Sequence, residues 1–267
     1  MRIIVCIKQV PDTNEVRLDK KTGTLIREGV PSIINPDDKA ALEAALSIKD
    51  ATPDTMVSVL CMGPMQADDA IREALAMGAD EGVLLSDRAY AGSDTWATAN
   101  ILSAAIKRMG GYDLILCGRQ AIDGDTAQVG PQLACRLGIP QVTCVKDIVL
   151  GEKNVQVESS TQQGYCRIRV ILPCLLTIVK EMNKPRYPNF QRIFQAYAGV
   201  FPVQVWTQRE LGISEELIGL ESSPTKVKRT FEPGLIRSGI RLEGSEKEMA
   251  VALIRELENE QIIARRS

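Results

Sequence analysis

The chain has 267 residues, 45% hydrophobic content and a formal net charge of −2, which suits one large domain with an appendage and supplies neither a bilayer-spanning run nor the basic footprint of a nucleic-acid binder. It contains no histidine, which excludes an imidazole-based hydrolase and a histidine-rich metal site but leaves carboxylate chemistry open. Met1 to Val10 is too short for a secretory segment. Of seven cysteines none forms a C-x-x-C pair, and Cys6, Cys61 and Cys117 sit in or at the ends of apolar strands, so reduced core thiols in a cytoplasmic protein without membrane insertion are expected. No metal ligand and no catalytic side chain stands out.

In chain order, Arg2 to Ile7 reads as a buried strand, and a polar excursion with a turn at Lys21-Thr22-Gly23 leads to a helix that starts at Asn35-Pro36 and carries Leu42, Ala45 and Leu46 on one face. Met56 to Cys61 is the second strand, followed by Gly63-Pro64 and a helix closed by Gly78. Gly82 to Leu85 is the third, before a helix from about Asp94 to Met109 that Gly110-Gly111 stops; Leu114 to Cys117 is the fourth. Continuous apolar strands alternating with amphipathic helices predict an α/β fold, a doubly wound, mainly parallel sheet covered on both faces.

The second half changes character. Val142 to Leu150, Val155 to Glu158 and Tyr165 to Leu172 predict an antiparallel ribbon with one wet face, since Cys166, Ile168 and Val170 alternate with Tyr165, Arg167 and Arg169. Leu175 to Val179 returns to the sheet. Glu181 to Ala198 reads as a loop holding most of the sparse aromatics, a composition that suits partner docking or, equally, covering of the sheet edge. From Thr207 a linker is expected, broken at Ser222-Ser223-Pro224-Thr225, then an amphipathic helix from Glu246 to Ile263 with Ala250, Leu253, Ile254, Leu257 and Ile262 on one side. The expected division is 1–206 and 207–267.

Residues 117–131, Cys-Gly-Arg-Gln-Ala-Ile-Asp-Gly-Asp-Thr-Ala-Gln-Val-Gly-Pro, carry the chemistry. An apolar strand runs into a polar, glycine-containing loop that opens a helix, where freed N–H groups and the helix dipole favour an anion. The pattern is neither G-x-G-x-x-G nor a P-loop, so it implies a nucleotide or phosphate without naming one; the alternative is a plain strand-to-helix connection with Asp125 or Thr126 as N-cap. Ligands of such sheets lie beyond the carboxyl ends of the strands, which gathers Cys6, Cys61 and Gly118 onward at one crevice bordered by Asn35. Core packing suits Cys6 and Cys61, and helix capping suits Asn35 alongside ligand contact.

Read as a whole, Gly118 to Thr126 resembles the nucleotide loop of the beta subunit of electron transfer flavoproteins. Further blocks fall in family order: Val5-Cys6-Ile7-Lys8-Gln9-Val10-Pro11-Asp12, Ile34-Asn35-Pro36-Asp37-Asp38, Ala74 to Asp80, and Lys184-Pro185-Arg186-Tyr187. After about Gly199 the likeness is loose. The resemblance implies nucleotide binding at Cys6, Asn35, Pro36, Asp37, Asp38 and Cys61, and along Gly118, Arg119, Gln120, Ala121, Ile122, Asp123, Gly124, Asp125, Thr126, Ala127, Gln128 and Val129. It also implies a recognition loop at about 181–198 with Arg186, Tyr187 and Phe190 holding a partner flavin dehydrogenase, and a C-terminal arm packed on the alpha subunit of a heterodimer.

Some beta subunits of this family hold AMP as a filler and others a redox-active FAD. In the AMP type the loop centre is more acidic, whereas here Gly124 interrupts the carboxylates Asp123 and Asp125, which favours FAD. Gly92 to Ala99 resembles a helix start of electron-bifurcating members and adds Asp94, Thr95 and Thr98 as flavin contacts, with capping the equal alternative for Asp94 and Thr95. The expectation is a subunit whose FAD takes electrons from NADH and divides them between ferredoxin or flavodoxin and, through the alpha-subunit FAD, a dehydrogenase. A flavin carries that chemistry itself, which suits a chain without histidine. The alternatives are an AMP-binding electron shuttle and a non-redox nucleotide-binding module.

Overall fold

Strand β1 (Arg2–Ile7) sends Ile3, Val5 and Ile7 to one side of a sheet and Ile4 and Cys6 to the other, and all five are buried. Continuous apolar strands of this kind require cover on both faces. The computed structural model describes residues 1–12, 31–228 and 239–263 and the backbone at 17–18 and 25–26. The turn expected at Lys21-Thr22-Gly23 lies outside the described residues.

After β1 come β2 (Gln9–Pro11), β3 (Arg17–Leu18), β4 (Leu25–Ile26), β5 (Ser32–Ile34), α1 (Pro36–Ala51), β6 (Met56–Met62), α2 (Asp68–Met77), β7 (Glu81–Leu85), α3 (Thr95–Met109) and β8 (Leu114–Gly118). Then follow α4 (Val129–Leu137), β9 (Gln141–Leu150), β10 (Asn154–Thr161), β11 (Gly164–Ile171), β12 (Cys174–Ile178), α5 (Phe190–Tyr197), β13 (Val203–Trp206), α6 (Gln208–Leu211), α7 (Gly219–Ser222) and α8 (Glu246–Asn259). Nine strands join in the order β11-β10-β9-β12-β8-β1-β6-β7-β13. All pairings from β9 to β13 in that order are parallel, and β10 pairs antiparallel with both β9 and β11. Helices α1, α2 and α5 pack on one face; α3 and α4 cover the other.

Helix boundaries follow local chemistry. Helix α1 starts with Pro36 and the acidic Asp37 and Asp38, each suited to a first turn. Asp94 caps α3 by accepting from the Ala97 N–H, and Gly78 and Gly110 end α2 and α3 at positive φ.

Three expectations need correction. The stretch from Glu181 to Ala198 is not all loop, because Asn189 caps an amphipathic helix, α5, whose Ala196 is buried against α2. The ribbon does not keep one dry face along β11: Cys166 and Ile168 are exposed and only Val170 is buried, because β11 is the edge strand. Strand β13, unforeseen, extends the sheet beside β7.

The chain forms two compact units, 1–229 and 230–267. In the first, residues after Thr207 still pack on the α3 side, where Ile218 joins the core and Ser223 is buried. In the second, α8 opens with a capping box between Ser245 and Glu248, and Leu253 and Ile254 on it are half exposed. Among the described residues no helix is long and apolar enough to cross a membrane.

Candidate functional site

The chain leaves β1 for β6 and β7 on one side, then returns to β8 on the other. Strand order therefore reverses between β1 and β8, and a crevice opens beyond their carboxyl ends. The first turn of α1 closes over this point. One Asp38 carboxylate oxygen accepts from the Gly118 N–H at the end of β8, the other from the Lys8 N–H just past β1, both at 2.9 Å. A side-chain carbon at Gly118 would stand 2.6 Å from the Asp38 backbone nitrogen, so glycine is required for α1 to come this close. Burial pushes the Asp38 carboxyl up to about 7, even though the Lys8 N–H, the Asn35 side chain and the Gly118 N–H all favour its charge.

Its neighbours hold the loop that follows β8. Asn35 occupies the N-cap position of α1, but its side chain makes no capping bond. Instead it donates to the Gln120 carbonyl at 2.8 Å and accepts from the Ile122 N–H at 3.1 Å, so the capping expected of its side chain is not made and the side chain braces the loop. Asp37 accepts from the Lys180 N–H and lies 3.5 Å from the Arg119 guanidinium; burial raises its carboxyl despite that cation.

Within the loop both carboxylates are engaged. Lys8 binds both oxygens of Asp123, at 2.7 and 2.8 Å, and Gln120 donates to Asp125 at 2.8 Å. Between them Gly124 is exposed, has no positive φ, and a side-chain carbon there would meet nothing within 4 Å. Asp125 and Ala127, by contrast, stand at φ 48° and 52°, a left-handed conformation that costs about 1–2 kcal/mol for such residues and gathers where a backbone serves a ligand. Residues 123–128 are all exposed. Helix α4 begins only at Val129, with Gln128 at its N-cap position, so neither Asp125 nor Thr126 caps it.

The far end of the loop meets α3. Thr95 donates to Gln128 at 2.9 Å, and Gln132 donates back to Thr95 at 3.3 Å, which brings the first turns of α3 and α4 together. Thr98 is half-buried one turn along. Asp94 is occupied by protein: besides Ala97 it takes the N–H and hydroxyl of Thr225. Burial acts to raise its carboxyl, but these bonds leave it below the usual range. Cys6 and Cys117 are buried register partners on β1 and β8, and Cys61 packs in the opposite layer with its thiol pushed up to about 12 by burial. All three read as core thiols. Lys8 is the loop contact that the sequence reading missed; its place just beyond a strand's carboxyl end was the available signal.

Of the expected docking residues, Arg186 is committed internally. Its Nε and one terminal nitrogen form a fork on Glu43, each at 2.9 Å, and that terminal nitrogen also reaches Asp50 at 2.7 Å. Tyr187 and Phe190 are 93% and 76% exposed, and Phe194 meets Phe190 edge to face. The rings stand in solvent and do not cover the sheet edge. No cluster of His, Cys, Asp or Glu among the described residues suits a metal ion.

The electron transfer flavoprotein domain signature matches residues 22–206. The chain belongs to the electron transfer flavoprotein family. It is 54% identical to the caffeyl-CoA reductase-Etf complex subunit CarD of Acetobacterium woodii over 264 residues, 98% of this chain and 100% of that one. It is 52% identical to the electron transfer flavoprotein subunit beta of Thermoanaerobacterium thermosaccharolyticum over 263 residues, 98% and 100% of the two chains. With the acryloyl-CoA reductase electron transfer subunit gamma of Anaerotignum propionicum the identity is 44% over 270 residues, again 98% and 100%. The chain is an electron transfer flavoprotein beta subunit.

The Asp38 clamp gives a pH prediction. A carboxyl raised to about 7 makes the folded state bind a proton that the unfolded chain releases near pH 4, so its stabilising contribution is full below pH 4 and is lost as pH rises through 7. The chain has no histidine to mask this. In urea unfolding from pH 5 to 7 the stability of the wild-type chain should fall relative to Asp38→Asn, by at most about 1.4 kcal/mol per pH unit. Parallel pH profiles would remove the assignment.

Proposed function

We propose that this beta subunit binds FAD and, with an alpha subunit, forms an NADH-oxidising electron-bifurcating flavoprotein. Its acceptors are a low-potential carrier of the ferredoxin or flavodoxin kind and, through the alpha-subunit FAD, an acyl-CoA or hydroxy-acid dehydrogenase. The observation that carries the reading is Gly124. Neither its backbone angle nor any neighbour requires glycine, so we read the position for the charge it leaves out and not for the space of a side-chain carbon. The carboxylates on either side are held by Lys8 and Gln120, and a third between them would face a diphosphate across open space. The strained, exposed backbone at 125 and 127 beside two helix N-termini suits the same ligand.

In this reading the residues from Gly118 to Val129, with Thr95, hold the cofactor. FAD, when bound, supplies hydride acceptance and onward passage of electrons, which no side chain of this site provides. The chain's own part is positional. Asp38 fixes where the loop leaves the sheet, Asn35 fixes the backbone at Gln120 and Ile122, and Lys8 draws Asp123 toward β1. The names of the caffeyl-CoA reductase and acryloyl-CoA reductase relatives favour a CoA-ester reductase or dehydrogenase as the organic-side partner, docked on the exposed rings of Tyr187 and Phe190.

The cofactor claim is tested at Gly124. An aspartate there would add a charge facing the diphosphate, and a separation of about 4 Å would oppose binding by an amount on the order of 4 kcal/mol at an effective dielectric near 20 before screening. The Gly124→Asp heterodimer should therefore keep the alpha-subunit flavin, lose the other and lose NADH-driven reduction. Gly124→Ala, whose side-chain carbon meets nothing, should keep both. Equal flavin loss in the two variants would reject the charge argument, and full occupancy in the aspartate variant would reject the site.

The docking claim is tested separately. Tyr187→Ala and Phe190→Ala should each weaken binding of the partner reductase by about 1–4 kcal/mol at unchanged flavin content, measured by calorimetry on the purified heterodimer. Unchanged affinity would contradict it.

A further inference from the structure

Glu43 is an unexpected residue for the middle of a helix that lies on the sheet. It is 7% exposed, and a carboxylate taken out of water is costly unless paired and hydrogen-bonded. Its partner comes from far along the chain. Arg186 places Nε and a terminal nitrogen on the two Glu43 oxygens, and the Arg186 backbone N–H adds a third bond at 2.9 Å. Glu43 holds this guanidinium firmly charged. The bond set is the planar fork that arginine makes best with a carboxylate.

The contact belongs to a series. Lys180 donates its N–H to Asp37, Asn183 donates its side-chain amide to the Ala40 carbonyl, and Arg186 donates to Glu43. Every third residue of the segment thus meets every third residue of α1. The chain then crosses to α2, where the Asn189 N–H reaches the Ala76 carbonyl and Arg192 reaches those of Leu75 and Ala79. Between these two attachments Tyr187 and Phe190 are left bare to solvent. The same helix holds the 118–128 loop with its first turn, through Asn35, Asp37 and Asp38.

We propose that Glu43 is a positioning residue for partner docking: through Arg186 it sets Tyr187 and Phe190 on the helix that also holds the nucleotide loop. Arg186 is then a strut and not a contact residue. This rests on the docking reading of the exposed rings, and supplies the rigid support that an exposed anchor needs if its ordering is not to be charged against binding.

The test uses the purified heterodimer and the reductase of its own complex, with electron transfer followed as reductase concentration is varied. Glu43→Gln should raise KM for the reductase roughly 5- to 30-fold with kcat and flavin content unchanged. Asp50→Asn, at the more exposed end of the clamp, should raise KM in the same direction by less. The double variant Glu43→Gln/Arg186→Gln should be no worse than about twofold beyond either single change, because the pair acts as one unit. Tyr187→Ala and Phe190→Ala serve as the independent arm. If they leave KM unchanged, the docking reading fails and takes this inference with it. If they raise KM while Glu43→Gln and Asp50→Asn do not, only the Glu43 inference is overturned. A Glu43→Gln protein that loses flavin or kcat at unchanged KM also overturns it, and should that variant fail to fold, Asp50→Asn and Arg186→Lys decide by the same criterion.

Discussion

The carboxylate of Asp38 spans the one place in the sheet where strand order reverses, taking an N–H from each of the two strand ends that flank it. Much else depends on this bridge. It draws the first turn of α1 against β8 so closely that Gly118 has no room for a side chain, and it sets the direction in which the following loop departs. Two charge-assisted bonds to backbone donors favour the ionised form while burial opposes it. The clamp therefore titrates near neutrality, where most carboxylates are long since ionised.

From that anchor, α1 acts as the frame of the functional surface. Its first turn grips the loop at Arg119, Gln120 and Ile122, and its middle grips the segment that leads to the exposed rings. The loop thus held is not relaxed. Asp125 and Ala127 remain in a left-handed conformation, which persists only where surrounding bonds over-determine it. Lys8, Asn35, Gln120 and Thr95 supply those bonds. The result is a polar backbone held open beside the first turns of α3 and α4, with its acidic side chains tethered.

The sheet was legible because its central strands are almost wholly apolar, and the crevice because a strand-to-loop-to-helix passage fell at the carboxyl edge. What escaped depended on tertiary context. The alternation along β11 foretells two unlike faces, but not that the strand lies at the edge with water on both. Helix α5 was obscured by Pro185, Pro188 and a crowd of aromatics, although Asn189 with Phe190, Ile193, Phe194 and Tyr197 at helical spacing was there to be read. Strand β13 is four residues long and lies just after a proline. The pairings of Lys8 with Asp123 and of Arg186 with Glu43 join residues 115 and 143 positions apart, a separation over which a single sequence carries no pairing signal. Arg186 shows the consequence: its place among aromatics suggested a contact, and its pairing with Glu43 and Asp50 could not be read beside it.

Membership of the electron transfer flavoprotein family leaves a choice of nucleotide, and the FAD proposed above rests on electrostatics at one position. A loop with free carboxylates at its centre repels a second phosphate; one with tethered carboxylates around a bare glycine admits it. The most direct measurement is mass spectrometry of the nucleotides released from the purified heterodimer, quantified against protein. The account predicts FAD at two per heterodimer and no AMP. One FAD with one AMP, or an adenine nucleotide without flavin, would contradict it.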